Sequence, residues 1–216
     1  TGDVADLAMT FILMAPRRIG EAQRFLRDGK WLQGRMDLGT TVRGKRLGIL
    51  GLGRIGKAVA RRAEVFGLHI AYHDIKPMGD LLYRSYPTLG DLAAASDILL
   101  VACEGGQATA GLVDGAVLDA LGPDGFLINA ARGTIIDQPA LVSALRDGRI
   151  AGAALDVFDG EPEVPAEMMA MENVILTPHI ASSTHETRRA MGDLVYDNIR
   201  AHFDGKPVLT PVPPQI

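Results

Sequence analysis

Gly51-Leu52-Gly53-Arg54-Ile55-Gly56 stands between an apolar run, Arg46 to Leu50, and an amphipathic run that ends near Phe66. That order predicts a strand, a tight turn and a helix. The first glycine permits the turn, the second lets backbone approach a pyrophosphate, and the third lets the helix pack against the strand. The helix then offers the phosphates its first N–H groups and the positive end of its dipole. Glycine-rich turns often serve packing alone, so a second signal is needed. Leu68 to His73 supplies it, reading as another strand that ends at Asp74, the right distance on for a carboxylate that accepts ribose hydroxyls. Strand, turn, helix and acid together predict a dinucleotide site.

Outward from this unit, short β-rich runs alternate with helical stretches from Gly44 onward. Such alternation predicts an α/β fold, a doubly wound parallel sheet of the Rossmann type covered on both faces. Six strands are expected, at Arg46 to Leu50, His69 to His73, Ile98 to Ala102, Phe126 to Asn129, Ala151 to Leu155 and Val174 to Leu176. Helices are expected at Arg54 to Phe66, Leu89 to Ala95, Gly115 to Leu121 and Pro139 to Asp147. In the first, Ala58, Val59, Arg62, Ala63 and Phe66 fall on neighbouring turns and form a mostly apolar face. Two further helices lie outside the alternation. Asp3 to Asp28 is bent or divided by Pro16 and stopped by Gly29. Thr184 to Asp204 has Ser183 or Thr184 as N-cap, Met191, Leu194, Val195, Ile199 and Phe203 as apolar stripe, and Gly205 as stop. Pro207, Pro211, Pro213 and Pro214 predict a non-helical tail. The chain thus divides into residues 1–45, 46–183 and 184–216.

With 216 residues, 47% of them hydrophobic, the chain can bury one substantial core, or one core plus a small appendage. A net charge of -4 and a pI near 5.7 leave no basic surface suited to nucleic acid or an anionic membrane. Arg17 and Arg18 are too small a cluster to change that. The single cysteine, Cys103, excludes an internal disulfide framework and suits a reducing cytoplasm. Asp3 and Asp6 open the chain where a secretory signal would be basic. The apolar run Leu7 to Ala15 is too short for a bilayer, and being apolar on nearly every side it is expected to be buried against another domain or subunit. An oligomer is the first implication.

Three polar residues fall just after expected strands, at the carboxyl edge where open α/β sheets bind ligands. Arg132, in Asn129-Ala130-Ala131-Arg132-Gly133, follows small residues that would admit a ligand, and its guanidinium could grip a carboxylate and polarise a neighbouring carbonyl. His179 follows Thr177-Pro178, whose proline would stiffen its seat, and could hand a proton to a carbonyl oxygen as hydride arrives at carbon. Glu161, in Asp159-Gly160-Glu161-Pro162, is a carboxylate that could pair with the imidazole and favour its protonated form. Taken singly, each has a bland reading: a surface arginine, a structural histidine, a solvated turn acid. No metal site is called for.

The sequence resembles the cofactor-binding part of the D-isomer-specific 2-hydroxyacid dehydrogenases. Four motifs carry the resemblance in order: Gly51 to Gly56, Asn129 to Asp137, Leu155-Asp156-Val157-Phe158 leading to Glu161-Pro162, and Thr177-Pro178-His179-Ile180-Ala181-Ser182. The resemblance implies that Arg132 binds the carboxylate and carbonyl oxygen of a 2-oxoacid, that His179 is the acid/base, and that Glu161 orients His179 and raises its pKa. It also places Arg54 and Ile55 at the pyrophosphate and Asp74 at the adenosine ribose. Ala102, Cys103 and Thr109 would lie along the cofactor, with Ala130 and Asp156 near the nicotinamide and Ala131, Arg132, His179 and Ala181 also in contact with the cofactor, and Cys103 would be a wall residue rather than a nucleophile. Ala102 to Gly106 and Thr184 to Met191 are most similar to the hydroxypyruvate, glyoxylate and hydroxyphenylpyruvate reductases of the family, although Glu104 stands where relatives often carry proline. Many of those use NADP through a polar or basic pair after the second strand. Asp74-Ile75-Lys76 stands there instead, and a carboxylate that would repel a 2′-phosphate favours NAD, while Lys76 keeps NADP possible.

By the same resemblance, residues 1–45 form an inter-domain and dimerisation arm, including the first helix and Trp31 in Gly29-Lys30-Trp31-Leu32. Residues 46–183 bind NAD(P), and 184–216 return to a substrate domain. Family members carry roughly a hundred residues ahead of the first helix, most of the substrate lobe, so the expectation is that this lobe is absent from the chain. The expected activity is reduction of a 2-oxoacid by a nicotinamide-dependent homodimer. Two alternatives stand beside it: a redox-sensing binding protein like the C-terminal-binding-protein corepressors, which resemble this family, and an inert cofactor-binding module.

Overall fold

The computed structural model describes residues 1–76 and 83–212 and divides into two compact units, residues 1–181 and 182–216. The prolines expected to end the tail at 213 and 214 lie outside the described residues.

The larger unit is built on seven parallel strands in the order β3-β2-β1-β4-β5-β6-β7. These are β1 (Arg46–Leu50), β2 (His69–His73), β3 (Arg84–Ser85), β4 (Ile98–Val101), β5 (Phe126–Asn129), β6 (Gly152–Leu155) and β7 (Val174–Leu176). The central strands are apolar on both faces because helices cover both faces. In β4 all four residues are buried: Leu99 and Val101 join Leu118, Leu127 and Leu141 in one layer, while Ile98 and Leu100 join Phe11, Ile12, Val59 and Ile128 in the other. Truncating such a residue, Leu100→Ala for example, would cost about 2–5 kcal/mol. β1 pairs with β2 on one side, Leu50 beside His73, and with β4 on the other, Leu50 beside Val101. The strand order therefore reverses at β1, and the crevice outside its carboxyl end is where such sheets hold ligands.

Two glycines make that crevice geometrically possible. Gly51 has φ 91°, and a Cβ on it would lie 2.6 Å from the Cα of Cys103. A Cβ on Gly56 would lie 2.3 Å from the Gly51 carbonyl oxygen, so helix α3 (Arg54–Val65) could not approach the strand with any side chain there.

The elements follow the sequence reading with defined departures. The long first helix is divided at Pro16 into α1 (Gly2–Met14) and α2 (Ile19–Arg27). α1 buries Ala5, Ala8, Met9, Phe11 and Ile12 in the core layer that α3 and β5 share, which corrects the expectation of burial against another domain or subunit: the chain's own sheet supplies the cover. On α3 the buried face is Gly56, Val59, Ala60 and Ala63, whereas Phe66, just past the helix, is 48% exposed. The remaining crossover helices are α4 (Leu89–Ala94), α5 (Gly115–Leu121) and α6 (Gln138–Arg146), capped by Thr88, Asp114 and Asp137, whose side chains accept N–H bonds from Asp91, Val117 and Ala140. β3, two exposed residues, and α7 (Ala166–Ala170) carry too little periodicity to be expected.

The smaller unit is α8 (His185–Phe203) and its tail. Of the two candidate caps Thr184 serves, accepting from Thr187 N, and Gly205 at φ 70° follows the helix end. The tail folds back, with Asn198 holding both the hydroxyl and the N–H of Thr210. Met191, Leu194, Val195, Ile199 and Phe203 are all exposed.

Candidate active site

The residues singled out from sequence gather at the carboxyl ends of the strands. Gly51 to Gly56 follow β1, Asp74 follows β2, Ala102 and Cys103 follow β4, Ala130 to Arg132 follow β5, Asp156 follows β6, and Thr177 to Ala181 follow β7. Glu161 arrives on the long loop after β6, and Thr109 in a short turn after β4, where its hydroxyl donates to the Glu104 carbonyl at 2.8 Å.

His179 and Glu161 are brought together, with Nδ1 2.6 Å from Oε2. The other carboxylate oxygen accepts from Phe158 N–H at 2.9 Å. An ionised carboxylate can only accept, so Nδ1 carries the proton of this bond and Nε2 is the nitrogen left for a ligand. Burial works against ionised Glu161, but the bonds from His179 and Phe158 and the charges of His179 and Arg132 outweigh it and hold the carboxyl below its usual range. The imidazole side chain is 49% exposed, as a group that meets a ligand must be.

The proline-stiffened entry is only part of what seats His179. Its φ is 53°, a conformation non-glycine residues seldom adopt, and the turn is held in it from below. Asp156, fully buried, accepts from Thr177 Oγ1 at 2.5 Å, Ile180 N at 2.8 Å and Ala181 N at 2.8 Å, while its carbonyl oxygen accepts from His179 N at 2.9 Å. Asn129, also fully buried, does the same for Arg132: its Oδ1 accepts from Ala131 N at 2.9 Å and its Nδ2 donates to Arg132 O at 3.0 Å. Arg132 then turns one guanidinium nitrogen onto the Ala131 carbonyl, 2.6 Å away. Sequence reasoning placed Asn129 in a motif without giving it a task. The signal was there, since an asparagine two residues before the N–H it binds is an Asx turn.

At the glycine turn, a Cβ on Gly53 would meet no protein atom within 4 Å, so its absence leaves open space beside the first turn of α3. That cradle, with N–H groups no preceding carbonyl can reach, fits a dinucleotide pyrophosphate. Asp74 ties the turn down: Oδ2 accepts from Leu52 N at 2.8 Å and Oδ1 from Lys76 N at 3.1 Å. Cys103 packs against Gly51, and burial, aided by the charge of Asp74, pushes its thiol up to about 11, so it is protonated at neutral pH. No cluster of His, Cys, Asp and Glu among the described residues could hold a metal ion, and no helix among them is long and apolar enough to cross a membrane.

A seven-stranded parallel sheet with a glycine cradle at its switch point and an arginine, a glutamate and a histidine at its carboxyl edge defines an NAD(P)-binding domain of an oxidoreductase. Residues 9–181 match the family model of the D-isomer specific 2-hydroxyacid dehydrogenase NAD binding domain, and the chain belongs to that family. It is 54% identical over 214 residues to glyoxylate/hydroxypyruvate reductase A HPR2 of Arabidopsis thaliana, covering 98% of this chain and 68% of that protein. Its identity to the hydroxyphenylpyruvate reductase of Plectranthus scutellarioides is 51%, with the same coverage. A solved NADPH-dependent glyoxylate/hydroxypyruvate reductase of Sinorhizobium meliloti, in complex with NADP and malonate, superposes with a TM-score of 0.93 at 46% identity over 99% of this chain and 67% of that one. The chain thus spans about two thirds of the length of these relatives.

Proposed function

We propose that the protein reduces a small 2-oxoacid to the corresponding 2-hydroxyacid, of D configuration where the product is chiral, with hydroxypyruvate, glyoxylate and hydroxyphenylpyruvate as the substrates to try first. The observation that carries the reading is the bond between His179 Nδ1 and Glu161 Oε2, which leaves Nε2 to serve as proton donor. NAD(P)H, when bound, supplies the hydride to the 2-oxo carbon. Arg132 binds the substrate carboxylate and polarises the carbonyl, His179 gives its proton to the carbonyl oxygen, and Glu161 steadies the charged ring. In the oxidation direction the neutral Nε2 takes the hydroxyl proton. Arg54 and Ile55 at the head of α3 would hold the pyrophosphate. Ala102, Cys103 and Thr109 would line the cofactor and Ala130, Ala131 and Ala181 would lie beside it, while Asp156, which has no exposed surface, would act through the turn it holds. Asp74 faces the ribose and favours NAD, although the Sinorhizobium relative is NADPH-dependent and Lys76 offers a cation to a 2′-phosphate.

The protein acts in this reading as a cytoplasmic homodimer, with residues 1–45 as the inter-domain and dimerisation arm and 184–216 returning to a substrate lobe. α2 buries no residue, Trp31 is 69% exposed, and the apolar stripe of α8 is uncovered, which supports both assignments. Nucleic acid and membrane have no part in it. The reductase reading is favoured over a redox sensor because the relatives at 54% and 51% identity are reductases.

The test is oxidation of NADH and NADPH by the full-length natural protein with each of the three oxoacids, beside His179→Gln. Turnover in the wild type alone supports the reading. Cofactor binding with no turnover of any oxoacid would move it to the sensor.

A further inference from the structure

Arg132 has a seat whose parts come from outside the residues given catalytic or cofactor roles. We infer that Gly105 and Asn129 are positioning residues that fix the Arg132 guanidinium for the substrate carboxylate. This rests on the role proposed for Arg132.

Gly105 lies in the loop after β4, and a Cβ built on it would fall 2.5 Å from Cγ and 2.8 Å from Cβ of Arg132. Those atoms are the root of the arginine side chain, not its flexible end. No rotation near the guanidinium relieves the contact, so any residue but glycine shifts the whole side chain. The next residue makes a control: a Cβ on Gly106 meets nothing within 4 Å, and its φ of 163° is extended backbone that any residue adopts. From the other side, Asn129 fixes the backbone of Arg132 through the Ala131 N–H and the Arg132 carbonyl. Arg132 is therefore held at its backbone by a buried amide and along its stem by an absent side chain. The guanidinium contact with the Ala131 carbonyl then sets its rotation.

A displacement of about 1 Å in such a group costs on the order of a hundredfold in rate. Gly105→Ala is expected to raise KM for the oxoacid roughly tenfold or more and to lower kcat, with the Kd of the nicotinamide cofactor, read by its fluorescence, changed by less than about twofold. Gly106→Ala is expected to match the wild type in all three. Asn129→Ala is expected to show the same split between oxoacid and cofactor together with a lower Tm, since the buried Ala131 N–H and the half-buried Arg132 carbonyl lose their bonds. Gly105→Ala that behaves like Gly106→Ala, or that loses cofactor affinity as much as oxoacid affinity, overturns the inference. Should Gly105→Ala not accumulate folded, the split in Asn129→Ala decides in the same way. Should the wild type reduce no oxoacid, the proposed function fails separately, and a crystal structure of Gly105→Ala decides: a displaced Arg132 stem upholds the positioning role and an unmoved one ends it.

Discussion

Asp74 is the residue at which cofactor choice and fold stability meet, and two substitutions separate them. Its carboxylate accepts from the N–H of Leu52, a fully buried residue of the glycine turn, and from the N–H of Lys76. Asp74→Ala strands the Leu52 N–H, at a cost of about 1–3 kcal/mol that the turn must carry whenever it closes on a pyrophosphate. Affinity for NADH and NADPH should both fall, by roughly tenfold. Asp74→Asn keeps an oxygen for Leu52, gives up the exposed bond from Lys76 N–H and removes the charge. A unit of phosphate charge about 5 Å from that carboxylate is opposed by about 1–3 kcal/mol for dielectric constants of about 80 down to 20, or ~5- to 150-fold in affinity. Asp74→Asn should therefore improve NADPH binding relative to NADH by a factor in that range, with Tm near that of the wild type. The assay is titration of cofactor fluorescence for both nucleotides on all three proteins, with thermal unfolding alongside. Unchanged NADH affinity and Tm in Asp74→Ala would refute the strut, and an unchanged NADPH-to-NADH ratio in Asp74→Asn would refute the electrostatic selection.

Three further outcomes are expected. His179→Gln should abolish oxoacid reduction while the Kd for NADH stays within about twofold, because the proton donor goes and the glycine cradle is untouched; an equal loss of cofactor affinity would count against the assignment. Glu161 titrates lower in the folded protein than in the unfolded chain, so the stability it contributes is complete above the ordinary glutamate pKa of about 4.3 and is lost as pH falls through the lower folded value. The Tm of Glu161→Gln should accordingly lie below that of the wild type near neutrality and converge with it in acid, and a constant gap across that range would contradict the shift. The Cys103 thiol, half-buried and raised to about 11, should react with iodoacetamide far more slowly at pH 8 than an exposed cysteine peptide; comparable rates measured by mass spectrometry would place it in a different environment.

The sheet was legible because its central strands are buried on both faces and bounded by turns and helices. β1, β2, β5 and β7 run over the residues expected of them, and β4 and β6 differ by one at an end. β3 escaped because two exposed residues have no pattern to read. The covering of α1 escaped for another reason: an all-round apolar helix announces that it is buried, but not which surface buries it. Within the site, motifs identified Arg132, Glu161 and His179 individually. The bond between the last two, 18 residues apart in sequence, depends on the loop after β6 reaching across to β7, which spacing cannot disclose. Gly105 was invisible as a positioning residue because its contribution is the space it leaves for Arg132, a relation that exists only in three dimensions.

Three polar side chains are buried among the described residues, and the placement of two of them accounts for the geometry of the candidate site. Ser96 merely returns its hydroxyl to Leu92 of the preceding helix. Asn129 and Asp156 stand side by side at the ends of neighbouring strands, joined by the bond from Asp156 N to Asn129 O at 2.9 Å. One carries the turn that holds Arg132 and the other the turn that holds His179. The two buried side chains thus stand one inter-strand spacing of a parallel sheet apart, about 4.8 Å, and the turns they hold are referred to the sheet rather than to the loops themselves. Loops tied only by their own turns would wander beyond the ~0.5 Å that a productive arrangement tolerates. Moving either turn here means breaking bonds to a fully buried amide or carboxylate, each about 1–3 kcal/mol to leave unmade. The turns that carry the arginine and the histidine are therefore held in place by the sheet itself.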